Sequence, residues 1–149
     1  MIKVLFICHG NICRSPMADF EMRRLIGLAG LDDRFEIASA ATSTEELGRP
    51  VYPPARRIIE ARGMDCSQKR ARQVQRREYA DYDLFVCMDE QNLRDLRRLF
   101  GGDPDGRLRL LMDYTDRPGS VSDPWYTGDF DRAWQDIQDG CRGLLEALR

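Results

Sequence analysis

The sequence predicts an α/β protein: a single domain over residues 1–149, in three layers, with a short parallel sheet of about four strands flanked by helices. Three observations predict this fold. Apolar runs alternate with helical patterns along the chain, an order typical of parallel sheets. The length of 149 residues is sufficient for one domain with its own core. The content of 42% hydrophobic and 32% charged residues is typical of globular proteins.

The first half of the chain contains strand patterns and helix patterns in alternation. Residues 2–7 and residues 35–41 are apolar runs, and each predicts a short buried strand. Ile58 and Ile59 anchor a helix that follows the proline pair at positions 53 and 54. A helix between the two strands is predicted to stop at Gly30, because apolar residues recur before it at helical spacing: Ala18, Met22, Leu25, Ile26 and Ala29.

The second half continues the alternation. Residues 84–87 and residues 108–112 predict a third and a fourth strand. A helix between them is marked by Leu93, Leu96 and Leu99 with Phe100, and the glycines at 101 and 102 should end it. The chain closes with a long amphipathic pattern that predicts a helix sealing the sheet: Phe130, Ala133, Trp134, Ile137, Cys141, Leu144, Leu145 and Leu148.

Composition and charge exclude several classes of function. No apolar run is long enough to cross a membrane, so we expect no membrane insertion. The net charge of −2 gives no general attraction to nucleic acid. We expect no metal and no cofactor, because His9 is the only histidine and no C-x2-C pair exists. The basic run KRARQVQRR, residues 69–77, predicts a solvated helix face, with steering of anionic substrates as the alternative.

Cysteine usage indicates the compartment. The chain has five cysteines, an odd number, and its start does not have the pattern of an export signal. Thiols that serve chemistry or packing are typical of a reducing environment. We therefore expect a cytoplasmic protein without a disulfide framework.

The stretch KVLFICHGNICRSPMAD, residues 3–19, predicts the functional site. Parallel sheets bind ligands at the carboxyl ends of their strands, and the first strand should end at Cys8. Gly10 and Asn11 follow it, and both residue types tolerate left-handed backbone geometry. Ser15 and Pro16 are favoured at the start of a helix. The stretch is therefore predicted to be a strand, a loop and a helix start.

The spacing C-x5-R is not specific by itself. It occurs at Cys8 and Arg14 and again at Cys66 and Arg72. The second match follows no strand pattern, and the residues between its ends, SQKRA, contain no glycine. Context therefore favours the first match.

The predicted loop has the features of a phosphate-binding site. Such a loop directs backbone N–H groups inward and forms a nest for an anion, and the N-terminus of the following helix adds partial positive charge. Arg14 can hold two phosphate oxygens with its guanidinium. The same field favours the thiolate form of Cys8. A thiolate that faces a bound tetrahedral oxyanion is a nucleophile for phosphoryl transfer.

CHGNICRSP resembles the signature of the low-molecular-weight protein tyrosine phosphatases almost letter for letter. The resemblance covers nearly the whole chain. SAATS at 39–43 is similar to the family's second-strand stretch, and DYDLFVCMDEQNLRDL at 82–97 to its third strand and following helix. SDPWY at 122–126 is similar to its acid loop, which usually reads Asp-Pro-Tyr-Tyr. These further matches occur in the family's order, which makes the resemblance specific.

The resemblance implies hydrolysis of phosphotyrosine monoesters on tyrosine-phosphorylated proteins. Cys8 would attack phosphorus and become phosphocysteine, while Arg14 and the loop amides would stabilise the transferring group. Asp123 would protonate the leaving phenolate and then accept a proton from water. Ser15 would hydrogen-bond the sulfur, and Asn11 would brace the loop. The implied phosphate loop consists of His9, Gly10, Asn11, Ile12, Cys13, Arg14 and Ser15.

Chemistry supports an acid in this role. A phenol has a pKa near 10, so it leaves as an anion only at some cost, and a protonating acid is typically worth 10² to 10⁴ in rate. Pro124 biases Asp123 toward an extended backbone. Chemistry alone leaves other acids open as candidates: Asp83, Asp89, Asp113, Asp116 and Asp129.

The chain departs from the family pattern at the cleft walls. Glu45 stands about where many members carry an aromatic residue, and Trp125 replaces the usual first tyrosine of the acid loop. Many members also have a histidine before A-R-Q that supports the loop serine, and here Lys69 or Arg70 stands instead. We expect Trp125 and Tyr126 to flank the substrate ring, although Trp125 could simply pack on the surface. We expect Glu45 to disfavour acidic sequences around the phosphotyrosine.

Cys13 is predicted to be a redox partner of Cys8. In the resembled family the corresponding pair can form a reversible disulfide that protects the nucleophile from overoxidation, and a low-pKa thiol beside a resolving thiol is redox-sensitive. The alternative is that Cys13 only fills space beneath the loop. Cys66, Cys87 and Cys141 are interpreted as packing residues.

Related activities stay open as alternatives. An arsenate reductase needs a closely spaced resolving pair of cysteines in a mobile segment, which Cys87 alone does not supply. A phosphoarginine phosphatase resembles this loop but tends to carry threonine where Ile12 stands. A phosphocysteine carrier, a different class, needs no general acid, so Asp123 discriminates against it. We expect a monomer, with a weak dimer as the alternative.

Overall fold

A four-stranded, fully parallel sheet forms the centre of the protein. The computed structural model describes all residues, Met1–Arg149. The strand order is β2-β1-β3-β4, and register pairs Cys8 with Ala41 and Ile7 with Cys87. Since β1 lies between two neighbours with helices on both faces, its side chains from Val4 to Ile7 are fully buried. The strand bounds are β1 Ile2–Cys8, β2 Phe35–Ala41, β3 Leu84–Cys87 and β4 Leu108–Leu110.

Helices cover both faces of the sheet. One face carries α1, α2 and α5, which bury Val4 and Phe6 of β1 in the larger hydrophobic cluster. The opposite face carries α3, which packs with Leu5 and Ile7 in a second cluster. This arrangement confirms the predicted three-layer α/β fold. The helix bounds are α1 Arg14–Leu28, α2 Pro53–Ala61, α3 Glu90–Phe100, α4 Pro124–Thr127 and α5 Phe130–Leu148.

Most predicted elements are confirmed, and the fourth strand is shorter than predicted. The second and third strands have the predicted bounds, and α3 ends at Gly101, whose φ of 74° is left-handed. Past Leu110 the chain turns into a 3₁₀ helix, Leu111–Tyr114. This turn packs tightly beneath α5, where a side chain larger than hydrogen at Gly143 would overlap the carbonyl oxygen of Tyr114.

The basic run at 69–77 is not a helix face, and that interpretation was wrong. Its first half is extended and pairs with the carboxyl end of β2: Ala41 donates to the carbonyl of Arg72 at 2.7 Å, and Val74 donates to the carbonyl of Ala41 at 2.9 Å. A short 3₁₀ helix, Arg76–Ala80, follows. These long-range backbone bonds override the local pattern and place Arg72 beside the phosphate loop.

No helix of the structure combines the length and the apolar character needed to span a membrane.

Candidate active site

The loop after β1 curls around the carboxyl end of the sheet, as predicted. Its tightest point is Asn11, the one non-glycine residue with a positive φ, at 61°. Helix α1 begins shortly after it, at Arg14, with Cys13 as its N-cap. Four amides of this segment have no hydrogen-bond acceptor inside the protein: those of Gly10, Ile12, Cys13 and Arg14. A left-handed turn followed by a helix start thus presents unpaired N–H groups to one point, which is an anion nest.

Cys8 lies at the base of this nest and is 4% exposed. Its Sγ accepts a hydrogen bond from the Asn11 amide at 3.2 Å and lies 2.9 Å from the Ser15 hydroxyl. Ser15 Oγ accepts from Asn11 Nδ2 at 2.8 Å, so the hydroxyl hydrogen is available for the sulfur. Two hydrogen-bond donors are thus placed next to the sulfur.

Asn11 is itself held from outside the loop. The backbone N–H of Arg72 donates to Asn11 Oδ1 at 3.2 Å. Lys69 is one of the two residues that could have replaced the family's histidine, and it forms no hydrogen bond with Ser15; its Nζ donates to the carbonyl of Ser39 at 2.9 Å. Burial lowers the pKa of Lys69. Ser15 therefore keeps its support through Asn11, although the histidine is missing.

Arg14 is buried, 3% exposed, and is fixed by acceptors on distant segments. Its Nη1 donates to the carbonyl of Val121 at 3.0 Å, and its Nη2 donates to Asp89 Oδ2 at 2.9 Å. Asp89 also caps α3, since its Oδ1 accepts from the amide of Asn92 at 2.9 Å. One carboxylate thus orients both the guanidinium and the helix that borders the cleft. The sequence offered Asp89 only as a possible acid, not as the partner of Arg14.

Asp123 lines the same cleft as the nest. Its Oδ2 lies 3.4 Å from Arg14 Nη2, and its side chain is 30% exposed. The backbone of Asp123 is extended, with φ −89° and ψ 104°, as expected before Pro124, and its Oδ1 accepts from the amide of Trp125 at 3.1 Å. Of the candidate acids only Asp89 and Asp123 line the cleft, and Asp89 is engaged by Arg14 and Asn92. Asp123 is held less tightly, since its contact with Arg14 is 3.4 Å long against 2.9 Å for Asp89.

The cleft above the nest has a volume of about 340 Å³. The predicted wall residues Glu45, Trp125 and Tyr126 all line it. Trp125 is 54% exposed and rests edge-on against Tyr52, with ring centroids 5.1 Å apart, while Tyr126 is 85% exposed. Glu45 Oε2 lies 3.0 Å from His9 Nε2 across the cleft mouth. The sequence interpretation missed three further lining residues: Glu46, Gln91 and Asn92.

All five cysteines are buried free thiols. Cys13 lies in the loop wall, where burial and the neighbouring Cys8 raise its pKa to about 12. Burial also raises the pKa of Cys87 and of Cys141, which agrees with their interpretation as packing residues. No group of three or more His, Cys, Asp or Glu side chains is placed to hold a metal ion.

These groups together can perform covalent phosphoryl transfer. Unpaired amides and a guanidinium suit the oxygens of a phosphate, and a thiol and a carboxylate in the same cleft are the groups that such a transfer needs. A parallel α/β sheet with this loop at its carboxyl edge defines the class of cysteine-dependent phosphatases.

Comparison with known proteins identifies the family. The family model for low molecular weight phosphotyrosine protein phosphatase matches residues 3–149. The low molecular weight protein-tyrosine-phosphatase YfkJ of Bacillus subtilis (strain 168) is 35% identical over 151 residues, which cover 100% of this chain and 97% of YfkJ. The low molecular weight phosphotyrosine protein phosphatase of Rattus norvegicus is 37% identical over 156 residues, which cover 97% of this chain and 94% of the rat protein.

Solved structures agree with the sequence comparison. The crystal structure of YfkJ matches with a TM-score of 0.95 at 35% identity, over 99% of this chain and 94% of that chain. The low molecular weight protein tyrosine phosphatase SP-PTP of Streptococcus pyogenes matches with a TM-score of 0.88 at 34% identity, over 100% and 94%. The chain belongs to the low molecular weight phosphotyrosine protein phosphatase family, and the protein is a phosphatase. The family resemblance of CHGNICRSP is thereby confirmed.

Proposed function

We propose that the protein hydrolyses phosphotyrosine monoesters through a phosphocysteine on Cys8, with Arg14 as phosphate ligand and Asp123 as general acid and base. One observation carries this proposal: thiol, guanidinium and carboxylate converge on one cleft, with Arg14 Nη2 3.4 Å from Asp123 Oδ2. The enzyme is proposed to act as one domain over residues 1–149.

The first step transfers the phosphoryl group to sulfur. The Cys8 thiolate attacks phosphorus in line, an S–P bond forms, and the bond from phosphorus to the tyrosine oxygen breaks. Asp123 gives its proton to that oxygen, so that tyrosine leaves as a neutral phenol. Arg14 and the loop amides hold the equatorial oxygens, where they stabilise the charge of the transition state. Because Asp89 and Val121 fix the guanidinium beforehand, little reorganisation is needed.

The second step releases phosphate. Asp123, now a carboxylate, takes a proton from a water molecule whose oxygen attacks phosphorus as the S–P bond breaks. The electron pair of that bond returns to Cys8 as a thiolate. The Ser15 hydroxyl, 2.9 Å from Sγ, stabilises the sulfur as it leaves. Asn11 holds Ser15 in place for this step.

The cleft walls support an aryl phosphate as substrate. Trp125 and Tyr126 are exposed aromatic side chains at the mouth, and an aromatic ring between them gains about 0.5–1.5 kcal/mol beyond burial. Ile12 adds an apolar contact on the loop side. A phosphate carrier needs no general acid, so the Asp123 carboxylate in the cleft favours an enzyme.

A panel of phosphopeptides tests this proposal. Phosphotyrosine, phosphoserine and phosphoarginine peptides are incubated with the wild-type protein, Cys8→Ser and Asp123→Asn, and phosphate release is measured. We expect turnover of the phosphotyrosine peptide alone, lost in Cys8→Ser. Preferred turnover of phosphoarginine, reduction of arsenate, or a stable phosphocysteine without turnover would contradict the proposal and favour one of the alternatives.

Cys13 is proposed as a resolving thiol for Cys8. Peroxide would oxidise Cys8 to the sulfenic acid, and the Cys13 sulfur would then form the disulfide and release water. A Cys13 pKa of about 12 keeps this thiol protonated during catalysis, so that it does not compete with Cys8. After peroxide, mass spectrometry should find the Cys8–Cys13 link, and thiols should restore activity. In Cys13→Ala we expect sulfinic acid on Cys8 and no recovery.

The proposed setting is the cytoplasm, where the enzyme would act as a monomer on tyrosine-phosphorylated proteins. Five free thiols suit a reducing compartment. Sedimentation velocity measures the oligomeric state, and a concentration-dependent dimer would replace the monomer in this proposal.

A further inference from the structure

A second groove opens beside the cleft and is continuous with it. Its volume is about 520 Å³, larger than that of the cleft. Ile12, Glu46 and Trp125 line both depressions and form the ridge between them. A molecule held at the nest can therefore extend over this ridge into the groove without leaving the protein surface.

The groove wall is basic. Arg49, Arg56 and Arg57 line it, against the carboxylates of Glu46 and Glu60. Arg49 pairs with Glu46 at 3.1 Å, and Arg56 pairs with Glu60 at 3.3 Å. Arg57 is exposed on the same wall of α2 and forms no ion pair within the protein. One positive charge of the groove is thus left without a partner.

We propose that this groove binds the segment of the substrate that flanks the phosphotyrosine and selects an acidic side chain there, with Arg57 as the residue that recognises it. This inference rests on the proposed function, because it places a phosphotyrosine in the cleft. Two observations support it: the groove shares its ridge with the cleft, and its uncompensated charge is complementary to a carboxylate.

The groove and the cleft mouth have opposite preferences. Glu45 lines the cleft and does not line the groove, so its negative charge acts on residues near the mouth. Arg57 lines the groove and does not line the cleft. A substrate should therefore carry its acidic residue on the flank that crosses the ridge of Ile12 and Trp125, and not on the opposite flank.

The test uses a set of phosphotyrosine peptides in which a single glutamate is moved through each flanking position, with glutamine at the same position as the reference. The ratio of kcat/KM for the glutamate and glutamine peptides is measured for wild type, Arg57→Gln, Arg57→Glu and Arg57→Lys. The matched control is Arg98→Glu, which makes the same charge change at an exposed position of α3. Free phosphotyrosine reports the chemistry of the cleft alone.

An exposed charge pair contributes modestly, so we expect glutamate on one flank to raise kcat/KM about threefold in wild type. Arg57→Gln should abolish this preference, Arg57→Glu should reverse it, and Arg57→Lys should retain part of it. The preference should vanish near 1 M salt, where the Debye length is about 3 Å.

Other outcomes overturn the proposal. If no position shows a preference, or if Arg57→Glu leaves the ratio unchanged, the groove does not select acidic side chains. If Arg98→Glu lowers the ratio as much as Arg57→Glu, the effect belongs to the overall charge of the protein. Failure of the proposed function gives a different result, namely no Cys8-dependent turnover of free phosphotyrosine.

Discussion

Asn11 offers the sharpest test of how the phosphate loop is held. Its left-handed backbone, with φ 61°, costs an alanine about 1–2 kcal/mol and costs glycine almost nothing. Its side chain also makes two hydrogen bonds, to Ser15 at 2.8 Å and from the Arg72 amide at 3.2 Å. At about 1 kcal/mol each, the loss of both costs about 2 kcal/mol.

These terms predict an order of stability for two variants. Asn11→Gly loses the hydrogen bonds and makes the unfolded chain more flexible, so it should lower the free energy of unfolding by about 2.5–3 kcal/mol. Asn11→Ala loses the hydrogen bonds and adds backbone strain, so it should lower the free energy of unfolding by about 3–4 kcal/mol. Urea denaturation followed by circular dichroism measures both values. Equal stability of the two variants would refute the backbone argument, and wild-type stability in Asn11→Gly would refute the side-chain argument.

Further predictions concern catalysis and pH. Asp123→Asn should lower kcat/KM for phosphotyrosine by about 10² to 10⁴ and should lower it less for an aryl phosphate with a more acidic leaving group, as stopped assays would show; equal losses of kcat/KM for both substrates would exclude leaving-group protonation. Glu45→Ala should improve kcat/KM for peptides with acidic residues near the cleft mouth relative to basic ones, and an unchanged ratio would remove Glu45 from specificity. Burial raises the pKa of Cys13 from 9.0 to about 12. Between about pH 9 and pH 12 the Cys13 thiol is therefore ionised in the unfolded state and protonated in the folded state. Its contribution to the free energy of unfolding is fully present below about pH 9 and is lost as pH rises toward 12. The free energy of unfolding should accordingly fall more steeply over that range in wild type than in Cys13→Ala, and parallel curves would contradict the shift.

The fold was predictable where burial and local pattern agree. The runs at 35–41 and 84–87 are mainly apolar because helices pack on β2 and β3, and their bounds were confirmed. The run at 108–112 is also mainly apolar, yet the strand stops at Leu110. The turn that follows packs against α5 at Gly143, more than thirty residues later, and no local pattern contains this contact.

The residues that line the site were predictable, and the contacts that support them were not. Cys8 and Arg14 were predicted from their place after a strand, Asp123 was predicted from the family resemblance of its loop, and all three line one cleft. The partner of Arg14 is 75 residues away, at Asp89, and the amide that braces Asn11 is 61 residues away, at Arg72. Both bonds depend on how the carboxyl ends of the strands come together.

The lining of the groove could not be predicted for the same reason. Its arginines appear in the sequence as ordinary surface charges, because the ion pairs that neutralise Arg49 and Arg56 but leave Arg57 free are visible only in three dimensions.

The most direct test of the central claim is to observe the covalent intermediate. The wild-type protein is mixed with excess phosphotyrosine peptide, quenched with denaturant within the first turnovers, digested, and examined by mass spectrometry. We predict a phosphate on the sulfur of Cys8, formed as fast as tyrosine is released and absent from Cys8→Ser. Phosphate release that continues without Cys8, or tyrosine release with no phosphate ever found on that sulfur, would contradict the mechanism.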